Sequence, residues 1–141
     1  MEIHPSAVIL LLVLCVSFSA HAQQPPPGYW HFLNNHVFAA MTVQKCDSEI
    51  LAREIALPQT SDGCRDRNAF IVANSNDVKA ICGAGGTPRG TNRISNNPLP
   101  VITCNLQSGN TQPQCRYRGV RTSRRIVVRC IGAWPVELMA N

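Results

Sequence analysis

Few side chains in this sequence can pass a proton near neutral pH. The histidines are His4, His21, His31 and His36, and none follows His36. His36 lies one helical turn after Phe32, on a face with Leu33, Val37 and Ala40. Residues five apart on a helix point about 140° from each other. His31 and His36 therefore do not share a metal, and there is no C-x-x-C pair. No metal and no cofactor is expected. The other chemical resource is arginine. Arg65 stands beside Asp66 and Arg67, and Arg116, Arg118, Arg121, Arg124, Arg125 and Arg129 cluster late in the chain. Such a surface suits polyanions: RNA, heparan-type glycans or an anionic bacterial surface. An ordinary solvated face is the plainer reading of any one of these arginines.

The start of the chain sets the compartment. The apolar run Ala7–Val16 is short for a bilayer and ends at small residues, with Ala20 and Ala22 forming an A-x-A site. Residues 1–22 are therefore expected to be a signal peptide, leaving a secreted domain of residues 23–141. All 13 Lys and Arg lie beyond residue 22, while Glu2 lies within the leader, so the exported chain would carry +6 against +5 for the whole. Cys15 also lies in the leader. Cys46, Cys64, Cys82, Cys104, Cys115 and Cys130 remain. An even number in an oxidising compartment implies disulfides, and spacing alone leaves fifteen connectivities open.

The elements that must position these groups come in two blocks. Gln23–Gly28 is Pro-rich and expected to be extended. A helix follows from Tyr29. A second is expected after Asp47 as its cap, with Ile50, Leu51 and Ile55 inward, and Pro58 and Gly63 end it. A third is capped by Asn76 or Ser75, buries Val78, Ile81 and Cys82, and stops at Gly83. Thereafter the pattern is β. Phe70–Val72 is a short strand, Ala84–Gly90 a Gly-rich loop, and Val101–Leu106 pairs with Arg116–Arg118. Arg125–Ile131 is β-branched through its middle, and Gly132-Ala133 turns it toward Trp134–Leu138. Helices early and strands late indicate an α+β fold.

Three stretches carry a resemblance. Tyr29-Trp-His-Phe-Leu-Asn-Asn-His36 resembles the first-helix signature of the pancreatic ribonuclease superfamily. Cys64-Arg-Asp-Arg-Asn-Ala-Phe70 resembles its C-K-x-x-N-T-F motif, and Cys130-Ile-Gly-Ala-Trp-Pro-Val-Glu137 its terminal strand, which ends in P-V-H. Asp77–Cys82 and Gln114–Tyr117 extend the match over nearly the whole exported chain. The missing fourth disulfide and the short segment between Cys130 and Pro135 resemble the angiogenin branch.

The resemblance implies a ribonuclease A-like α+β domain, with three helices packed on a bent antiparallel sheet. It also implies the pairings Cys46–Cys104, Cys64–Cys115 and Cys82–Cys130. The family cleaves RNA by attack of the 2′-hydroxyl on phosphorus, which needs a base, an acid and a cation. His36 matches the base and Arg65 stands where the family has Lys. Glu137 replaces the acidic His; a carboxylate, with an ordinary pKa of about 4.3, is mostly ionised at neutral pH. Ala69 replaces the Thr that reads the pyrimidine. Asn68 is kept, and Asn35 replaces a Gln. Phe70 is expected in the core. RNA contacts are expected from Asn35, Asn68, Ala69, Arg116, Arg118 and Arg125. The expected function is a monomeric, secreted, basic host-defence protein that binds RNA or other polyanions with weak or absent ribonuclease activity. The alternatives are a low-turnover endoribonuclease and an angiogenic-type ligand of a cell-surface receptor. On secretion the chain should begin at Gln23; a product still carrying Ala7–Val16 in N-terminal mass spectrometry would contradict the leader.

Overall fold

The computed structural model describes residues 24–57 and 59–140. The expected leader, Gln23 and the break at Pro58 lie outside these. Helix α1 spans Pro27–His36. It starts two residues earlier than expected because Pro27 supplies a preset φ at the first position, where no N–H is needed. It also ends earlier. Val37 is extended (φ −127°, ψ 118°) and bridges Ile71 in parallel, so Val37 and Ala40 are not helical.

A 3-10 turn, Val43–Lys45, leads into α2, Cys46–Ala52. Asp47 is not its cap. Its carboxylate instead accepts the Tyr117 backbone N–H at 2.7 Å, tying α2 to a distant strand. Ile50 and Ile55 are buried as expected, but Leu51 is 45% exposed. Cys46 and Ile50, four apart, own the buried face of this short helix, and Leu51 is turned away from it. Helix α3, Ser75–Lys79, is capped by Asn74 rather than Ser75 or Asn76. The Asn74 side chain accepts the Asp77 N–H at 2.8 Å. A 3-10 turn, Ala80–Cys82, runs on to Gly83.

The described residues also form seven strands: β1 Arg67–Ile71, which precedes α3, and β2 Gly86–Arg89, β3 Asn92–Ser95, β4 Leu99–Ser108, β5 Arg116–Arg124, β6 Val127–Ile131 and β7 Trp134–Met139, which follow it. They form two antiparallel sheets ordered β1-β4-β5 and β2-β3-β6-β7. The β2–β3 hairpin replaces the expected loop at Ala84–Gly90. Non-local bonds explain it: Arg93 donates to the carbonyls of Ile81, Gly83 and Gly86 at 2.7–2.8 Å, and β3 pairs with β6. Gly90 turns the hairpin at φ +61°. The three disulfides are Cys46–Cys104, Cys64–Cys115 and Cys82–Cys130, the pairing the resemblance implied.

Two cores sit on opposite faces of β1 and β4. Ile71 and Val101 join Phe32, Val78, Ile81, Ile126 and Val128. Phe70 and Ile102 join Met41, Cys46, Ile50 and Ile55. Strand alternation sends neighbouring residues to opposite cores, so β1 is held on both faces. Gly28 lies against Val136, where a Cβ would come within 3.3 Å, and this seats α1 closely on β7. Phe70 is fully buried. Phe70→Ala should lower unfolding stability in urea by about 3–5 kcal/mol, and a loss under about 1 kcal/mol would show that the second core is not tightly packed.

Candidate active site

His36 is the last residue of α1, and the edge of β1 fixes its ring. Val72 N–H donates to Pro100 O, and Leu106 N–H to Asp66 O. Even-numbered residues of β1 therefore make the ladder to β4, and odd-numbered ones turn their backbone groups to the open edge. Ile71 O accepts Phe38 N–H there at 3.1 Å. Ala69 O meets His36 Nδ1 at 2.8 Å. A carbonyl only accepts, so Nδ1 carries the proton and Nε2 keeps its lone pair when the ring is neutral. The Phe32 ring lies 5.8 Å from the imidazole, centroid to centroid. Burial pushes the His36 pKa below 6.5; the Ala69 carbonyl opposes this, and the charges of Arg65 and His31 add to it. At neutral pH the ring is thus mostly the neutral form that a general base requires.

Arg65 follows Cys64, which is bonded to Cys115, and its carbonyl accepts the Tyr117 hydroxyl at 2.6 Å. Its guanidinium donates to Asn68 Oδ1 at 3.1 Å. Asn68 is buried and donates onward to the Asn35 carbonyl at 2.9 Å. Arg65 is thus tethered to α1 through one amide. Asn35 is buried too, and lies 3.0 Å from both His31 Nε2 and Asn34 Nδ2. Its side chain positions neighbours on the helix.

Glu137 lies on β7 in register with Arg129 of β6, and Oε2 meets Arg129 Nε at 2.9 Å. His36, Arg65, Glu137, Asn35, Asn68 and Ala69 all line one cleft of about 350 Å³. Arg116, Arg118 and Arg125 do not line it. Arg116 donates to the carbonyls of Pro113 and Cys115, and Arg125 to that of Ser95. Arg118 is exposed and pairs in register with Asn105. Sequence reasoning passed over His31 and Arg67, which line the cleft, and the pairing of Arg129 with Glu137. The four-residue spacing of His31 and Asn35 on one helix was a legible signal for the first. Among the described residues no group of three His, Cys, Asp or Glu is placed to hold a metal.

The cleft therefore holds a carbonyl-bound imidazole with its Nε2 lone pair open, a tethered cation and, on the other wall, a carboxylate in an ion pair.

A family model described as pancreatic ribonuclease matches residues 27–139. The chain is 44% identical to "Ribonuclease-like 3" of Danio rerio, over 97% of this chain and 95% of that one. It is 33% identical to "Angiogenin-3" of Mus musculus, over 97% and 94%. The solved structure of zebrafish RNase5 superposes with a TM-score of 0.79 at 39% identity, over 84% of this chain and all of that one.

By NMR, His36 should titrate below 6.5. Arg65→Ala should raise the midpoint without bringing it to 6.5, because burial is the larger cause. The same shift makes the unfolded state bind more protons just below pH 6.5. The contribution to stability is complete above 6.5 and is lost as pH falls through 6.5 to the folded value. A midpoint above 6.5 would contradict the buried, carbonyl-bound ring.

Proposed function

Because the chain belongs to the pancreatic ribonuclease family, we propose that it is an exported basic protein that binds RNA and related polyanions, with weak or absent ribonuclease activity. The observation that carries this reading is the Glu137–Arg129 ion pair across the cleft from a correctly poised His36. One half of an acid–base pair is in place, and the other half is an anion. Loss of a general acid typically lowers a rate by about 10²–10⁴-fold. Arg65 keeps a charge in the cleft, but its fork is planar and is already engaged by Asn68.

Binding has its own support. Arg67 lies on the cleft rim, and the register Arg67–Asn105–Arg118 crosses all three strands of the first sheet. Residues paired across strands share a face. The row leads cations outward from the cleft, about 5 Å per strand. Phosphate contacts of this kind hold a strand without reading it. Ala69 offers an alkyl side chain at the base-reading position, which suits tolerance of sequence over discrimination. Polyanion binding by a secreted cationic protein also fits host defence at bacterial surfaces.

The poised His36 favours one second reading, a low-turnover endoribonuclease. Dinucleotide cleavage by contaminant-free wild type that is lost in His36→Ala would establish the second reading. Wild type should be slow, and Glu137→His should gain about 100-fold if the rest of the cleft is assembled. His36→Ala should abolish both activities. Failure of wild type to bind single-stranded RNA at moderate salt would overturn the binding reading. Arg118→Ala should weaken RNA binding and flatten its log–log salt dependence by about 0.7; an unchanged slope would remove Arg118 from the path.

A further inference from the structure

The Arg129–Glu137 pair is chemically incomplete. Arg129 uses one donor, Nε, on one oxygen, Glu137 Oε2. Among the described residues its two terminal nitrogens have no protein partner, and neither does the second Glu137 oxygen. Both side chains are about half exposed, at 47% and 54%. An ion pair this exposed holds little of the fold together and exchanges readily with competing ions. The backbone beneath Arg129 is nevertheless fixed. Val128 is fully buried on one side, and Cys130 is bonded to Cys82 on the other. A planar fork with free N–H groups thus stands on a rigid strand, next to a carboxylate that lines the His36 cleft.

A guanidinium fork matches two oxygens of a phosphate better than a single carboxylate oxygen. We propose that Arg129, which stands behind Glu137 at the margin of this cleft, is a masked phosphate-binding cation, occupied by Glu137 in the free protein and transferred to a phosphate of bound polynucleotide when that carboxylate yields. This rests on the RNA-binding reading above and deepens it. In the free protein the pair is neutral and adds nothing to the attraction of the cleft. Once the carboxylate is removed, the Arg129 guanidinium behind that wall is left with an unbalanced positive charge and its Nε–H released. Glu137 is then a competitor for the phosphate site as well as a missing acid.

The test uses a short fluorescein-labelled single-stranded RNA and fluorescence anisotropy. Wild type, Glu137→Gln, Arg129→Ala and the double variant are compared. Asp77→Asn, on the exposed start of α3, controls for the change in net charge. Circular dichroism and thiol titration check that each variant is folded and disulfide-bonded. Glu137→Gln should tighten binding about tenfold, as expected for one new charged hydrogen-bonded contact. Arg129→Ala alone should weaken binding, because it leaves the Glu137 carboxylate unpaired beside the cleft, and in the double variant affinity should return to the wild-type value. Asp77→Asn should give no comparable gain. If the gain persists without Arg129, Glu137 acts by its own repulsion and the masked cation does not exist. If Glu137→Gln gives no gain although wild type binds, the proposal also fails and RNA binding stands. If none of the proteins binds, both readings fall.

Discussion

A backbone carbonyl on the open edge of β1 sets the chemistry of the cleft. Ala69 O fixes which nitrogen of His36 carries the proton, and so which nitrogen can accept one. That assignment is only as firm as the strand that supplies it. Strand β1 is held on both faces by two separate cores and on one edge by β4. Its other edge is left open except where Ile71 receives Phe38 and Ala69 receives His36. The burial that makes the core therefore also orients the base, and the same burial keeps the imidazole neutral by making its charged form costly.

The second wall follows a different logic. Glu137 and Arg129 stand on a hairpin whose tip and outer face meet solvent. Their interaction is electrostatic, exposed and weakly held. Between the walls, Arg65 is tied by way of Asn68 to the helix that carries His36, so base and cation are placed by one scaffold. The cleft thus carries the guanidinium groups of Arg65 and Arg67 on one side and an ion-paired carboxylate on the other.

Local pattern made much of this legible. The Phe32–His36 spacing, the β-branched run of β6 and the six cysteines each depend on short stretches of chain; His36 stood out in the first-helix stretch, and Arg65 and Glu137 in stretches that begin at a cysteine. What escaped the sequence is set by partners far along the chain. The β2–β3 hairpin is glycine-rich and polar, and becomes strand only because Arg93 gathers three carbonyls and β6 offers an edge. Asp47 has the composition of a cap, yet its carboxylate serves Tyr117 seventy residues away. Leu51 obeys apolar periodicity but finds no surface to cover in so short a helix. The Arg129–Glu137 pair depends on a hairpin register with an irregularity between Arg129 and Cys130, and no periodicity of the sequence encodes that offset.

Because Glu137 and Arg129 are half exposed and outside both cores, their replacement leaves the folding problem untouched. The cleft is consequently modular in an evolutionary sense. Charge at this margin of the cleft can therefore vary through two outward-facing side chains, while the buried helix, the edge strand and the cystine framework carry the packing.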